Sequence, residues 1–503
     1  MALPEHGVRG GAGRRRLRAA AETSTMTPVS TPAPSRRPSL GTALLLLAGV
    51  ALPFALVALF PNTYHRGDLM AYARWADCLE AFGPRTYLEC AAYRPELPLG
   101  YPAVGLWLSG GAVQGMRLLA ENVFGGTLDA ATTDALVRFY LAIFAALDFL
   151  LLAWLARLMR FQRPVLAAFL LMLLPWMAVG GVLWGQLDGI SLAGALLALI
   201  ALWQAWRVAS QQRAGPAGLW LLLAALVLAG FVLVKQLNTF ALPFFLFLLA
   251  LTLWSFWRDL GGRGVAVALA ALLVALIAFR LLDSRFALPP GAFGSTYWHG
   301  WQVSPHGDVI SGNGFNLWIL LGRDMWSSSR EPFTALRLGG WQQELTPYHT
   351  GIVLYALLLV FLFVTAFLAV RPLLARGAVA RLADDGQAAL LALLVLLLGL
   401  TQLGFNVLLT GTHERYLFLG YPFLILATWW FARRGWMGMG LAVFTLAAAI
   451  LNGVFVLGAM QPLPGILFVV YSNAFQASMH LILLVALLDA WLRIVRRSRA
   501  RRP

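Results

Sequence analysis

Charge is what this sequence has least of: 12% of its 503 residues are charged, where a soluble globular chain carries about a quarter. That excludes an ordinary water-soluble domain. Lysine is nearly absent, with Lys235 the only one and arginine at every other basic position. Cysteine is limited to Cys78 and Cys90, too few for a disulfide-built fold or a four-cysteine metal centre. There is no Gly-rich nucleotide loop of the kind that cradles a soluble phosphate donor.

What fills the chain instead is apolar: 60% of its residues are hydrophobic. They fall in runs of about twenty, the length that crosses a bilayer as helix. Lipid leaves no partner for an unpaired backbone group, so such runs must be helical. The fold class read from this is an all-α polytopic membrane protein. The runs are Leu40–Phe60 and then roughly 134–156, 164–184, 188–206, 218–234, 238–257, 264–282, 348–370, 387–409, 416–432, 436–459 and 473–492. That gives about twelve spans by the length rule.

The formal net charge of +16 does not point to nucleic acid, which would want arginines interleaved with aromatics on one folded surface. Arginines cluster instead at Arg14, Arg15, Arg16 and Arg18, at Arg493, Arg496, Arg497, Arg499, Arg501 and Arg502, and in short loops such as Arg157/Arg160/Arg163 and Arg433/Arg434. Basic loops stay on the cytoplasmic side, which puts both basic ends inside. Residues 1–39 then read as a disordered basic tail, 40–492 as the transmembrane domain, and 493–503 as a second basic tail. Leu40–Phe60 reads as a retained signal anchor.

Two outer loops stand out, 61–133 and 284–347. In the first, Gly67 to Phe82 has helical spacing, with Leu69, Tyr72, Ala76 and Leu79 on one face and Gly83-Pro84 as a stop. It is an interfacial helix rather than a span. Pro98 to Ala120 is apolar but broken by Pro98 and Pro102, and the alternation of basic loops forbids it from crossing. Arg66, Arg74, Arg85 and Arg94 in this loop run against the positive-inside rule, with Asp68, Asp77, Glu80, Glu89 and Glu96 among them. Cys78 and Cys90 lie here too, as a disulfide in an oxidising compartment or as two buried thiols. The second loop holds Trp298, His299, Trp301, His306, Asp308, Asn313, Asn316 and Trp318, and a loop this long is usually functional.

Ionisable residues near membrane depth are costly and need a reason. Asp68 opens the interfacial helix, either as an N-terminal cap or as a catalytic carboxylate. Lys235 ends a span, either snorkelling or offering a point charge to a phosphate. His413-Glu414-Arg415-Tyr416 opens a span, as an anion site or as an arginine paired with its neighbouring glutamate. Trp184-Gly185-Gln186-Leu187-Asp188 is a tight turn in which Asp188 caps the next helix or binds sugar hydroxyls beside Gln186. Asp148 sits mid-span, and a structural hydrogen bond is its plainest role. One acid, one lysine, one arginine and one histidine all map to the outer side. The acid could take a proton from a hydroxyl while the cations hold a phosphate leaving group.

An ordered set of motifs adds a resemblance. Gly67-Asp68-Leu69-Met70-Ala71-Tyr72-Ala73-Arg74-Trp75, Tyr101-Pro102-Ala103-Val104-Gly105-Leu106, Trp184-Gly185-Gln186-Leu187-Asp188, Asn313-Gly314-Phe315-Asn316-Leu317-Trp318 and His413-Glu414-Arg415-Tyr416 together resemble the GT-C superfamily of integral membrane glycosyltransferases. The chain looks most like bacterial proteins related to the GPI second-mannose mannosyltransferase. It is also similar to the dolichyl-phosphate-glucose-dependent glucosyltransferases. The resemblance covers roughly residues 40 to 430 and implies a GT-C fold with interfacial helices in the first outer loop. It implies Asp68 as general base, and His413 and Arg415 on the donor phosphate with Lys235 nearby. Pro102-Ala103 stands where the family has Pro-Pro, Leu99-Gly100 where an acid is common, and Arg415 where the glucosyltransferases have lysine.

The resulting expectation is an inverting hexosyltransferase of the cytoplasmic membrane, its site facing the periplasm or exterior. A polyprenyl-phosphate sugar (mannose or glucose) would be the donor and a lipid- or glycan-linked hydroxyl the acceptor, without metal or cofactor. Glu414, Tyr101, Gln186, Asp188 and Asn316 are the further candidate substrate contacts. The rival from another class is a secondary transporter or lipid flippase, which predicts polar groups at mid-bilayer in broken helices. A non-catalytic assembly factor is a third.

Overall fold

The computed structural model describes residues 39–83, 90, 101–284, 296–298, 308–312, 314–338, 341–460, 470 and 472–500. The basic tail read at 1–39 lies outside this set apart from Ser39, as do His299, Trp301, His306 and Asn313. Residues 1–43 and 44–503 form two units; of the first, Ser39–Ala43 are described and include the first residues of helix α1 (Leu40–Leu59). The second unit holds the remainder of α1 and every later element.

Helix dominates because apolar runs in lipid have no other way to satisfy their amides. After α1 come α2 (Arg66–Phe82), α3 (Ala103–Leu106), a π-turn (Trp107–Gly111), α4 (Ala112–Phe124), α5 (Ala130–Leu158) and α6 (Pro164–Met172). Next are α7 (Pro175–Ala178) with a second π-turn (Val179–Leu183), α8 (Asp188–Ser210), α9 (Ala214–Val234), a 3-10 turn (Gln236–Ala241) and α10 (Leu242–Ser284). The later helices are α11 (Leu317–Leu320), α12 (Pro347–Val370), α13 (Ala378–Arg381), α14 (Asp384–Leu408), α15 (Tyr421–Arg433), α16 (Met439–Met460) and α17 (Asn473–Ala500).

Among the described residues nine helices are long and apolar enough to cross a membrane, or ten if the bent pair Pro164–Met172 and Pro175–Leu183 is one span. The protein is a multi-pass membrane protein. Two segments account for the difference between ten and the expected twelve or so. Two expected spans, 238–257 and 264–282, lie on either side of a break at Gly261, whose φ of 62° is not helical, and count as one in the nine. The expected span 416–432 begins with a 3-10 turn (Tyr416–Leu419), leaving α15 with 13 helical residues. The last span continues as helix to Ala500, past the boundary drawn at 492.

The described parts of the loop 61–133 pack against one another. α2 buries Leu69, Tyr72, Trp75, Ala76, Cys78 and Leu79, the face its spacing marks out, plus Trp75 and Cys78 beside it. The Pro98–Ala120 stretch, described from Tyr101, is α3, a π-turn and most of α4, and is not among the helices able to span. It lies against α2: a Cβ on Gly110 would come within 2.9 Å of the Trp75 side chain, and Arg117 pairs with Asp77 at 2.7 Å. Arg138 of α5, 1% exposed, donates to the carbonyls of Phe60 and Pro61 at 2.8 Å each. It thus satisfies groups left open at the end of α1 and fixes where the loop begins.

Cys78 and Cys90 are joined as a disulfide with their Cα atoms 5.6 Å apart, closing a loop with a sequence separation of 12. Closing a loop of this size is worth on the order of 3 kcal/mol. Cys78→Ser with Cys90→Ser should therefore lower the thermal unfolding midpoint. Reductant should lower the wild-type midpoint to match and leave the variant unmoved; a wild type indifferent to reductant would mean that the bridge does not form.

Short strands occur in the described part of the loop 284–347. β2 (Thr334–Leu338) and β3 (Trp341–Leu345) form an antiparallel ladder, with Thr334 opposite Leu345. β1 (Ser311–Gly312) pairs in parallel with β4 (Thr412–His413). This second pairing carries the loop to the His413 segment. Asp283 at the end of α10 accepts from Thr296 N (3.1 Å) and Oγ1 (2.6 Å), and Thr296 Oγ1 accepts from Ala103 N at 3.1 Å. The two long loops are therefore tied at the start of α3.

Candidate active site

The turn Trp184–Asp188 collects the charged residues. It follows the second π-turn and contains Gly185 at φ 87°, a conformation that favours glycine. A Cβ there would also come 2.8 Å from Leu69 Cδ2, so glycine lets the turn lie directly on α2. The His65 amide donates to the Trp184 carbonyl at 3.3 Å, and the two rings stack with centroids 4.8 Å apart.

From this turn three side chains reach outward. Trp184 Nε1 donates to Asp68 Oδ2 at 2.6 Å, and the Arg415 guanidinium lies 4.9 Å from the Trp184 ring centroid. Gln186 Oε1 accepts from Arg415 Nε at 3.0 Å and from Lys235 Nζ at 3.1 Å. Asp188 Oδ1 accepts from Lys235 Nζ at 2.7 Å. A continuous chain thus runs from Asp68 through Trp184, Arg415 and Gln186 to Lys235 and Asp188. The rings of Tyr101 and Tyr416 flank Lys235 Nζ at 6.0 and 5.7 Å.

His413, Glu414 and Arg415 reach this place by strand pairing rather than from the N-terminus of a long helix, as sequence alone expects. Gly312 lies opposite His413 in the ladder, and a Cβ on Gly312 would stand 2.5 Å from the imidazole. Asn316 Nδ2 donates to the Ile310 carbonyl at 2.8 Å and to Thr412 Oγ1 at 3.3 Å. Asn406 and Asn452 donate to the carbonyls of His413 (3.2 Å) and Glu414 (3.1 Å). Glu414, 2% exposed, accepts from Arg415 Nη1 at 3.3 Å and faces His413 Nδ1 at 3.5 Å.

Several sequence readings change accordingly. Asp68 is not a cap: His65 holds that position and no side chain caps α2. Asp188 is the first residue of α8 rather than its cap, and its carboxylate serves Lys235. Lys235 does not snorkel, being 5% exposed. Glu414 and Asn316 are buried holders of Arg415 and Thr412, not open contacts. Asp148 is buried in α5, and neither carboxylate oxygen has a hydrogen-bond partner among the described residues, so the structural bond expected for it is not found there.

Sequence assigns no role of their own to two residues, although Trp184 opens one of the motifs. His65 Nδ1 lies 2.9 Å from Asp68 Oδ2, and Trp184 bridges Asp68 to Arg415. Their contacts join positions far apart in the chain, which periodicity does not report. Only their places beside Asp68 and in the Gly185 turn mark them.

Two cations, Lys235 and Arg415, face three carboxylates, Asp68, Asp188 and Glu414. Burial pushes the Asp68 carboxyl up, but the His65 contact, the Arg415 charge and the Trp184 N–H together hold it well below the usual carboxylate range. Burial also pushes Glu414 up, and His413 and Arg415 outweigh it, leaving its value lowered. His413 is lowered by burial and then by Arg415, against the pull of Glu414; it is neutral at pH 7. Burial works against the Arg415 charge, yet Glu414 and Asp68 secure it. Burial, then Asp68 and Asp188, raise Tyr101, so its hydroxyl keeps its proton.

The sign of the pH dependence follows. Asp68 and Glu414 have folded values below their unfolded ones, so both stabilise the fold fully above about pH 4–5 and lose this as pH falls further. The unfolding midpoint should stay level from pH 7 to about 5 and drop below about 4. Asp68→Asn should make that drop shallower; an unchanged acid profile in this variant would contradict the Asp68 assignment.

A cavity of about 20 Å³ lies behind the cluster, lined by Asp188, Lys235, Gln402, Arg415 and Tyr416 among others, room for about one water. No group of three or more His, Cys, Asp or Glu side chains poised for a metal occurs among the described residues. No protein-family profile matches the sequence, and no curated protein does. Among solved structures, the chain is similar to the Archaeoglobus fulgidus oligosaccharyltransferase in its apo form. The identity is 14% and the TM-score 0.35, over 91% of this chain and 56% of that one. The present chain thus spans little more than half the length of that relative.

Proposed function

We propose that this protein is an inverting GT-C glycosyltransferase of the cytoplasmic membrane. It moves a hexose from a polyprenyl-phosphate donor to a hydroxyl of a lipid- or glycan-linked acceptor at the outer face. The observation that carries this reading is the chain of contacts from Asp68 to Lys235. One carboxylate with a second oxygen left to accept a proton stands across an indole from a guanidinium.

In the proposed reaction the acceptor oxygen bonds to the anomeric carbon as the bond from that carbon to the phosphate oxygen breaks. The acceptor proton goes to Asp68, and polyprenyl phosphate leaves with one more negative charge. Asp68 loses a charge as the phosphate gains one, so the net charge of the site is conserved. A carboxylate held this low is a weak base. It suffices because a hydroxyl attacking an oxocarbenium-like centre becomes strongly acidic as the bond forms. Arg415 and Lys235 hold the departing phosphate as cations, and neutral His413 offers a hydrogen bond.

The test is conversion. Purified protein given a panel of polyprenyl-phosphate hexoses and a membrane-lipid extract should release polyprenyl phosphate and form one new glycolipid or glycan. No release with any donor would reject the reading.

A second reading, a transporter or flippase, is favoured by one specific pair of observations. Asp148 is buried mid-span without a hydrogen-bond partner among the described residues, and the chain bends by 69° between α6 and the helix after it. Broken helices and mid-membrane carboxylates are what transport sites use. Proteoliposomes that move labelled lipid-linked sugar inward without converting it would decide for this reading.

A further inference from the structure

A large cavity lies away from the Asp68 cluster. It is a groove of about 540 Å³ walled by α6, α15 and α16 through Leu166, Leu170, Ile425, Trp429 and Leu446, with Leu174 just past the end of α6. Its origin is in the sequence. Pro175 ends α6, and the 69° bend turns the chain away. α6 packs on α5 while α7 packs on α16, so α6 and α16 diverge and leave a cleft between them. Leu170 is 54% exposed.

One end of this groove is basic. Arg163 and Arg433 line it there together with Gln162. Past them opens a second recess of about 210 Å³, which shares Phe161, Gln162 and Arg433 and adds Arg160, Arg434 and Trp430. Among the described residues, neither space is lined by an acidic side chain. Arg433 donates to Gln162 Oε1 at 3.1 Å, and Arg434 lies over Trp430 at 3.9 Å from its centroid. Arg160 is paired with Asp384. Among the described residues, Arg163, Arg433 and Arg434 form no ion pair with a carboxylate. α15 separates this place from the Asp68 cluster: from Tyr421 to Arg433 the helix rises about 18 Å.

An apolar groove opening into a basic recess has the form of a lipid: tail in one, anionic head in the other. The groove volume falls in the range of small-molecule sites, and three guanidiniums, none ion-paired among the described residues though Asp385 acts on Arg434 from farther off, supply the charge that a phosphate needs. We infer that this groove is a binding site for an anionic glycerophospholipid of the surrounding bilayer. One acyl chain lies between α6 and α16, and the phosphate lies among Arg163, Arg433 and Arg434. The lipid fills the cleft that the bend at Pro175 opens and braces the broken helix on the side opposite the catalytic turn.

The test uses the full-length protein, stripped of lipid in detergent and offered equimolar phosphatidylglycerol and phosphatidylcholine. Native mass spectrometry should find one phosphatidylglycerol retained in preference. Arg163→Gln with Arg433→Gln and Arg434→Gln should cut that retention at least fivefold. Ala167→Trp, which fills the groove and keeps the arginines, should do the same. Neutralising Arg493, Arg496 and Arg497 on α17 should leave it unchanged. Should a variant fail to fold, the wild type still decides: phosphatidylglycerol should raise its unfolding midpoint saturably near one equivalent, and phosphatidylcholine should not. Equal retention of both lipids, equal loss on neutralising α17, or no midpoint shift would overturn the proposal. So would displacement of phosphatidylglycerol by equimolar polyprenyl phosphate, which would assign the groove to a different lipid.

Discussion

Asp68→Asn is expected to lower kcat/KM for sugar transfer by about 10²- to 10⁴-fold, the usual contribution of a general base, with donor binding intact. The substitution is close to isosteric, and the asparagine carbonyl still accepts from Trp184, which donates to Asp68 at 2.6 Å in the native chain. What is lost is the capacity to take a proton. Trp184→Phe separates position from chemistry. It removes the indole N–H, one of the contacts that hold the Asp68 carboxyl low. The acid limb of kcat/KM should then move to higher pH, while a merely structural role for Trp184 would change the rate without moving the limb. Full turnover in Asp68→Asn would end the base assignment.

The second large effect concerns Arg415. Arg415→Gln should reduce transfer by about 10²- to 10³-fold, the scale for losing one charge stabiliser at a departing anion. It should also destabilise the protein, because Glu414 is 2% exposed and faces Arg415 at 3.3 Å. Removing one partner of a buried pair costs about 3–5 kcal/mol. The double variant Glu414→Gln with Arg415→Gln removes both charges and should recover much of the stability, yet none of the activity. Thermal unfolding and transfer rates on the four proteins of this cycle measure the coupling directly. Recovery of activity in the double variant would mean that Arg415 only compensates Glu414.

Much of the architecture is legible in the order of residues alone. Apolar runs of bilayer length mark the helices, and the spacing of Leu69, Tyr72, Ala76 and Leu79 marks the buried face of α2. The alternation of basic loops sets Pro98–Ala120 apart from the spans, and its described part is not among the helices long and apolar enough to cross. What periodicity cannot report is pairing at a distance. The β1–β4 ladder joins Gly312 to His413, and two residues per strand leave no alternation to find. It converts an expected helix start into a strand and turn. The same holds for charge. A buried lysine announces that it needs a partner, but the sequence does not say that Asp188, 47 positions earlier, supplies it. His65 and Trp184 are illegible for this reason: each is an ordinary interfacial residue until Asp68 is set between them. Asp148 fails differently, because its place in α5 is plain and none of the described residues answers it.

Transfer and transport make opposite demands on one preparation. Proteoliposomes would carry purified protein, a radiolabelled polyprenyl-phosphate hexose and acceptor lipid, with both free polyprenyl phosphate and label on each side of the bilayer followed over time. The account predicts that label passes to acceptor in step with release of polyprenyl phosphate, and that both stop in Asp68→Asn. Donor that crosses the bilayer with its sugar still attached, at the same rate in wild type and variant, would contradict it.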